Sequence, residues 1–118
     1  MESCGKAFGY VCAKKVARDD ARAGFGDPYQ IRADVAGCGP LTEGVGKVQL
    51  YVLSPLRATK GSAAKTVVPV PDGAAMLAIE HGKGRVFVSA DNMFCQPYRI
   101  TEADNAALLA NVMEWLVK

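Results

Sequence analysis

Residues 74–90 read AAMLAIE, HGKG, RVFVSA: two apolar runs either side of a four-residue break. Gly82 and Gly84 supply the positive φ that a tight reversal needs. The runs are therefore predicted to pair as an antiparallel hairpin, strands 74–80 and 85–90, turning at His81-Gly82-Lys83-Gly84. The continuous apolar character of RVFVSA predicts a strand covered on both faces, as in the sheet of an α/β protein.

Downstream, Thr101-Glu102-Ala103-Asp104 has the form of a capping box, with acidic residues where a helix dipole favours them. Leu108, Leu109, Val112, Met113, Trp115 and Leu116 then predict one apolar helix face packed on the sheet, with Lys118 at the end. Upstream, Phe8, Val11, Cys12 and Val16 fall near helical spacing, and Ser3 is a candidate N-cap, so 3–23 is predicted as a helix. Gly24, Gly26 and Pro28 stop it. Residues 29–36 (YQIRADVA) alternate apolar and polar, a strand with one wet face. Residues 37–46 are turn-rich and lead to a strand at 48–53, which Ser54-Pro55 ends. Residues 57–65 form a solvated polar loop with three basic residues and no assigned role. Residues 66–70 are predicted as an edge strand, because Pro69 cannot donate to a ladder.

The chain has 118 residues, of which 50% are hydrophobic, 22% charged and 8% aromatic, so residues 1–118 are read as a single globular domain. Fourteen Lys and Arg against twelve Asp and Glu give +2, with the charges scattered. No basic stripe marks a nucleic-acid partner, and no apolar run approaches the roughly 20 residues that span a bilayer. The N-terminal residues lack the apolar core of a secretory signal, which predicts a cytoplasmic protein. The four cysteines, at 4, 12, 38 and 95, show no zinc-ligand spacing, and reduced structural thiols are expected in preference to two disulfides. With one histidine, no clustered carboxylates and no phosphate-binding glycine motif, neither metal nor cofactor is expected.

Three places could carry chemistry. Gly37-Cys38-Gly39 follows a strand and imitates a nucleophile elbow, but only about one turn of helix fits before the next strand, which favours a cysteine in a tight loop. His81 is the single histidine, so a Cys-His or Ser-His mechanism must use it. Its place in the hairpin turn favours a solvent-facing side chain. Ser89, Asp91 and Asn92 sit just beyond the carboxyl end of a strand, where open α/β sheets bind ligands. Asp91 could accept from a ligand there, or alternatively cap its own turn.

The tail GKGRVFVSADNMFCQPYRITEADNAALLANVMEWLVK resembles the last strand, acidic turn and final helix of class I glutamine amidotransferase-like domains, in particular the trehalose-utilisation-type and uncharacterised branches. The matching residues are Gly82 to Arg85, Val86 to Val88, Asp91, Asp104-Asn105 and Trp115-Leu116, together with Gly39 to Val45 and Ser54-Pro55-Leu56. Gly39 stands where the family has a histidine. Family domains run to about twice this length, and the half with the nucleophile elbow has no counterpart here. The resemblance implies a partial Rossmann/flavodoxin-like sheet with a C-terminal antiparallel hairpin and flanking helices. A half sheet would leave an apolar strand edge open, to be covered by a second copy in a homodimer, by a separate chain or by the N-terminal helix. The expected function is a non-catalytic module that binds a partner or small ligand near Ser89, Asp91 and Asn92. The alternative is a thiol hydrolase or amidotransferase relative, with Cys38 as nucleophile and His81 or Asp91 supplied across an oligomer.

Overall fold

The hairpin forms on the residues that demand it. In the computed structural model, which describes residues 7–118, His81 pairs with Gly84, and Gly82 turns the chain at φ +60°. The element order is β1 (Tyr10–Cys12), β2 (Ala23–Gly24), β3 (Asp27–Asp34), β4 (Lys47–Tyr51), β5 (Leu56–Ala58), β6 (Lys65–Val70), β7 (Gly73–His81), β8 (Gly84–Ser89) and α1 (Asn105–Val117). Single 3-10 turns lie at Asp20–Arg22 and Gly39–Leu41. The class is mixed and strand-rich, with one C-terminal helix.

Two antiparallel sheets hold these strands. One runs β1-β5-β7-β6, with β8 also on β7; the other is β2-β3-β4. Every strand pairing among the described residues is antiparallel, whereas a Rossmann-type half sheet would run parallel. The strand covered on both faces is β7, not β8. Ala75, Met76 and Ala78 of β7 join the main core with Ile31, Val48, Leu50, Val67, Val68, Leu108 and Val112. Ala74, Leu77 and Ile79 join Tyr10 and Leu56 in a second cluster. β8 is only half-buried along its length, because nothing pairs with its outer side among the described residues.

β6 takes the predicted edge position, and its register shifts between Thr66 and Val68 and again between Val68 and Pro69. Val67, skipped by the ladder, accepts a hydrogen bond at its carbonyl from Ala36 N (2.8 Å), which ties the end of β3 to β6. A bulge that re-aims one carbonyl thus links the two sheets.

Of the helix expected over 3–23, only Ala7 and Phe8 are α-helical among the described residues, and the chain leaves the helix at Gly9; Ser3 and Cys4 lie outside the described residues. Gly9 adopts φ +88° against the Ser62 side chain, which would sit 2.3 Å from an added Cβ, and a helix cannot pass through that conformation. Beyond it, Tyr10 is buried as part of β1 while Val16 is exposed, the reverse of a helical apolar stripe. The polar loop expected at 57–65 begins instead with β5, whose Leu56 pairs with Ala74 of β7.

Gly73 sets that junction. A Cβ there would lie 2.5 Å from Leu56 O and 2.9 Å from Pro55 Cβ, and the first of these is backbone that cannot swing aside. Gly73→Ala is expected to lower the unfolding free energy by about 1–3 kcal/mol, read as a lower urea midpoint at unchanged slope. A neutral result would mean that β5 and β7 are free to separate.

α1 carries the predicted apolar residues, but only part of the face is covered. Leu108 and Val112 are buried and Leu109 and Trp115 pack on the core, while Met113 and Leu116 are exposed. The capping box does not form: the helix begins at Asn105, and the Asp104 side chain bonds elsewhere.

Candidate functional site

Asp91 points inward. It is 2% exposed; its Oδ2 accepts from Tyr51 N and its Oδ1 from Met93 N, both at 2.8 Å. The second bond is the aspartate turn through its own backbone. The first reaches across to β4. Ser89 Oγ donates to Asp91 O (2.6 Å) and holds the turn from behind, and Asn92 is exposed. Burial pushes the Asp91 carboxyl above its ordinary value, and the two backbone donors partly oppose that shift.

Asp91 is one of three side chains that close the outer edge of β4. Asp104 Oδ2 accepts from Gly46 N (2.8 Å) and Lys47 N (3.1 Å), and Asp104 N donates to Lys47 O. Asn105 Oδ1 accepts from Gln49 N (2.9 Å), and its Nδ2 donates to Gln49 O (3.1 Å). Asp91 takes Tyr51 N. Lys47, Gln49 and Tyr51 are the residues whose backbone groups an additional strand would have bonded. The open edge expected from a half sheet is, at β4, shut within the chain by Asp104, Asn105 and Asp91.

Cys38 does line a concavity. A cleft of about 490 Å³ is bounded by Gly37 to Leu41, by Ala63 and Lys65, by Ala78, Glu80 and Arg85 of the hairpin, and by Trp115 and Lys118 at the end of the helix. The loop is held by Cys38 N donating to Thr42 Oγ1 (2.9 Å), and the thiol donates to Thr66 O (3.1 Å). Burial raises the thiol pKa, with the Lys65 ammonium pulling weakly the other way, so the neutral thiol is held at physiological pH. Arg85 crosses the floor. Its guanidinium lies over the Trp115 ring (5.3 Å to the centroid), donates to Trp115 O (2.7 Å) and stands 3.9 Å from Glu80.

His81 is not part of this cleft. Side chains alternate along β7, so Ala78 and Glu80 face the cleft while Ile79 and His81 face the second cluster. There the imidazole is exposed, as its turn position predicts, and also meets Phe8 edge-on, with ring centroids 5.1 Å apart. Within one chain, Cys38 has neither His81 nor Asp91 as a base. The chain matches no family model, no curated protein and no solved structure. The cleft must therefore be read from its own chemistry. Cys12, Cys38 and Cys95 are free thiols, no three metal-ligating side chains cluster among the described residues, and no helix there is long and apolar enough to cross a membrane.

Sequence reasoning found Cys38 and its loop but missed Lys65, Glu80, Arg85, Trp115 and Lys118. The available signals were Lys65, in a basic run given no role, and the single tryptophan near the helix end.

Proposed function

We propose that this chain is a non-catalytic module whose small ligand occupies the cleft between residues 37–41, the β6–β8 face and the end of α1. One observation carries this reading: the cleft holds a half-buried, neutral thiol to which neither the single histidine nor Asp91 is brought as a base. His81 lies across β7, and both oxygens of Asp91 are spent on Tyr51 N and Met93 N. For a partner-binding role, the β4 edge is closed by the chain's own residues, and the edge left to a homodimer or separate chain is the outer side of β8, unpaired among the described residues. Kinship with the amidotransferase-like domains rests on sequence alone, on residues 82–118 together with Gly39 to Val45 and Ser54 to Leu56, and descent from a Rossmann/flavodoxin-like sheet would require its parallel order to have been lost.

Alkylation separates this reading from the thiol hydrolase alternative, in which a second chain would supply the base. Peptide-resolved iodoacetamide labelling of Cys38 is expected to be slow at neutral pH and to accelerate only above about pH 8.5, where an ordinary or raised thiol ionises. An inflection well below about pH 8 would show an activated thiolate and overturn the non-catalytic reading.

A further inference from the structure

Resting on that reading of the cleft, we propose that its ligand is a small anion carried on a flat apolar body, of the class of aromatic carboxylates and aryl phosphates. Lys65, Arg85 and Lys118 line the cleft against a single carboxylate, Glu80. Lys118 already pairs with Glu114 (3.1 Å), but Lys65 has no carboxylate within ion-pair distance among the described residues. Glu80 is a poor counterion for Arg85: the two stand 3.9 Å apart, and the glutamate side chain is 70% exposed against 31% for the arginine. A half-desolvated guanidinium acts on a ligand charge more strongly than a lysine in open water does. Arg85 is also fixed in place, bonded to Trp115 O and stacked on its ring, so little side-chain freedom is lost when an oxyanion binds.

The remaining walls suit a flat apolar body. Pro40, Leu41, Ala63, Ala78 and the Trp115 ring surround the cations. Gly37 and Gly39 meet nothing within 4 Å where a Cβ would sit, which leaves bare peptide on that side. A volume of about 490 Å³ is at the lower end of the range for small-molecule sites, enough for a one- or two-ring compound. A cationic ligand would meet Lys65 and Arg85 against Glu80 alone, the charge of Lys118 being answered by Glu114.

Trp115 is the only tryptophan, so its emission reports directly on the cleft. Benzoate and phenyl phosphate are expected to shift that emission saturably and to slow Cys38 alkylation. The isosteric benzamide and the cation benzylamine should bind at least about tenfold more weakly. Arg85→Gln should weaken the anions by a similar factor, and Lys65→Gln, at an exposed strand position, provides the same readout should Arg85→Gln unfold the chain. The ratio of benzoate to phenyl phosphate affinity identifies the head group. Equal binding of benzamide and benzoate would overturn the anion assignment and leave the ligand-binding reading standing. If no probe of any charge perturbs Trp115 or protects Cys38, the cleft reading itself falls.

Discussion

Asn105→Ala is expected to lower the unfolding free energy by about 3–5 kcal/mol at neutral pH, a large share of a small domain's total stability. Asn105 is completely buried, and its amide serves the backbone as a strand residue would, accepting from Gln49 N and donating to Gln49 O, with further reach to Phe94 O (3.4 Å) and Arg99 O (3.3 Å). Gln49 is equally buried, so truncation leaves a backbone donor and several carbonyls unsatisfied and out of contact with water. Asn105→Asp refines the test. Its first oxygen still accepts from Gln49 N, but the second faces the carbonyls of Gln49, Phe94 and Arg99 and carries a buried charge. The introduced carboxyl should have a folded-state pKa above its unfolded value. Stability is then present below the unfolded pKa and lost as pH rises through the folded one. Asn105→Asp should therefore recover on acidification from pH 7 towards about 4, while Asn105→Ala does not. Urea titrations across that range read both. A loss below about 1 kcal/mol for Asn105→Ala would mean that water reaches the β4 edge and the side-chain seal is dispensable.

The contrast between hairpin and seal explains how much the sequence discloses. Gly82 marks its turn locally: two residues fix a reversal, and the apolar runs on either side must then pair. The stripe of Leu108 and Val112 is legible for the same reason, since helical periodicity is a property of neighbours in the chain. Asp104 was misread and Asn105 passed over because their partners are more than fifty residues away. A local rule sees an acidic residue before an apolar stripe and assigns it to the helix cap. An unpaired strand edge, which no local pattern advertises, offers those side chains a better use. Gly9 is the opposite failure. Apolar spacing from Phe8 to Val16 favoured a helix, but Gly9 has a positive φ that forbids it and lies where Ser62, from another segment, leaves no room for a side chain. The cleft was half legible: glycines flanking Cys38 announce a tight exposed loop, but Lys65, Arg85 and Trp115 come from β6, β8 and α1 and meet only in three dimensions. Beyond the hairpin the antiparallel order was hidden, because the continuous apolar run RVFVSA has the pattern of a parallel strand between two helical layers.

Asp91→Asn is expected to cost about 2–4 kcal/mol, since an amide oxygen can accept from Tyr51 N or from Met93 N but its nitrogen opposes the other donor. The pH dependence identifies the carboxylate as the cause. Burial raises the Asp91 pKa above the ordinary 3.8. Its proton therefore binds more tightly in the folded chain, and stability falls as pH rises from about 4 through the raised value. Asp104 acts with the opposite sign. The Gly46 and Lys47 amides hold its pKa below 3.8, as the Lys47 ammonium does for Asp34 and Lys15 does for Asp72. Their contribution is present above the ordinary carboxylate pKa and is lost as pH falls through the depressed values. The wild-type profile should accordingly lose stability below about pH 4 and also show a gentle decline above it. Asp91→Asn should remove the gentle decline and leave the acid limb untouched, as measured by urea midpoints across the pH range. If the decline survives the substitution, Asp91 is not the titrating group, and its burial between β8 and β4 does not tune the seal.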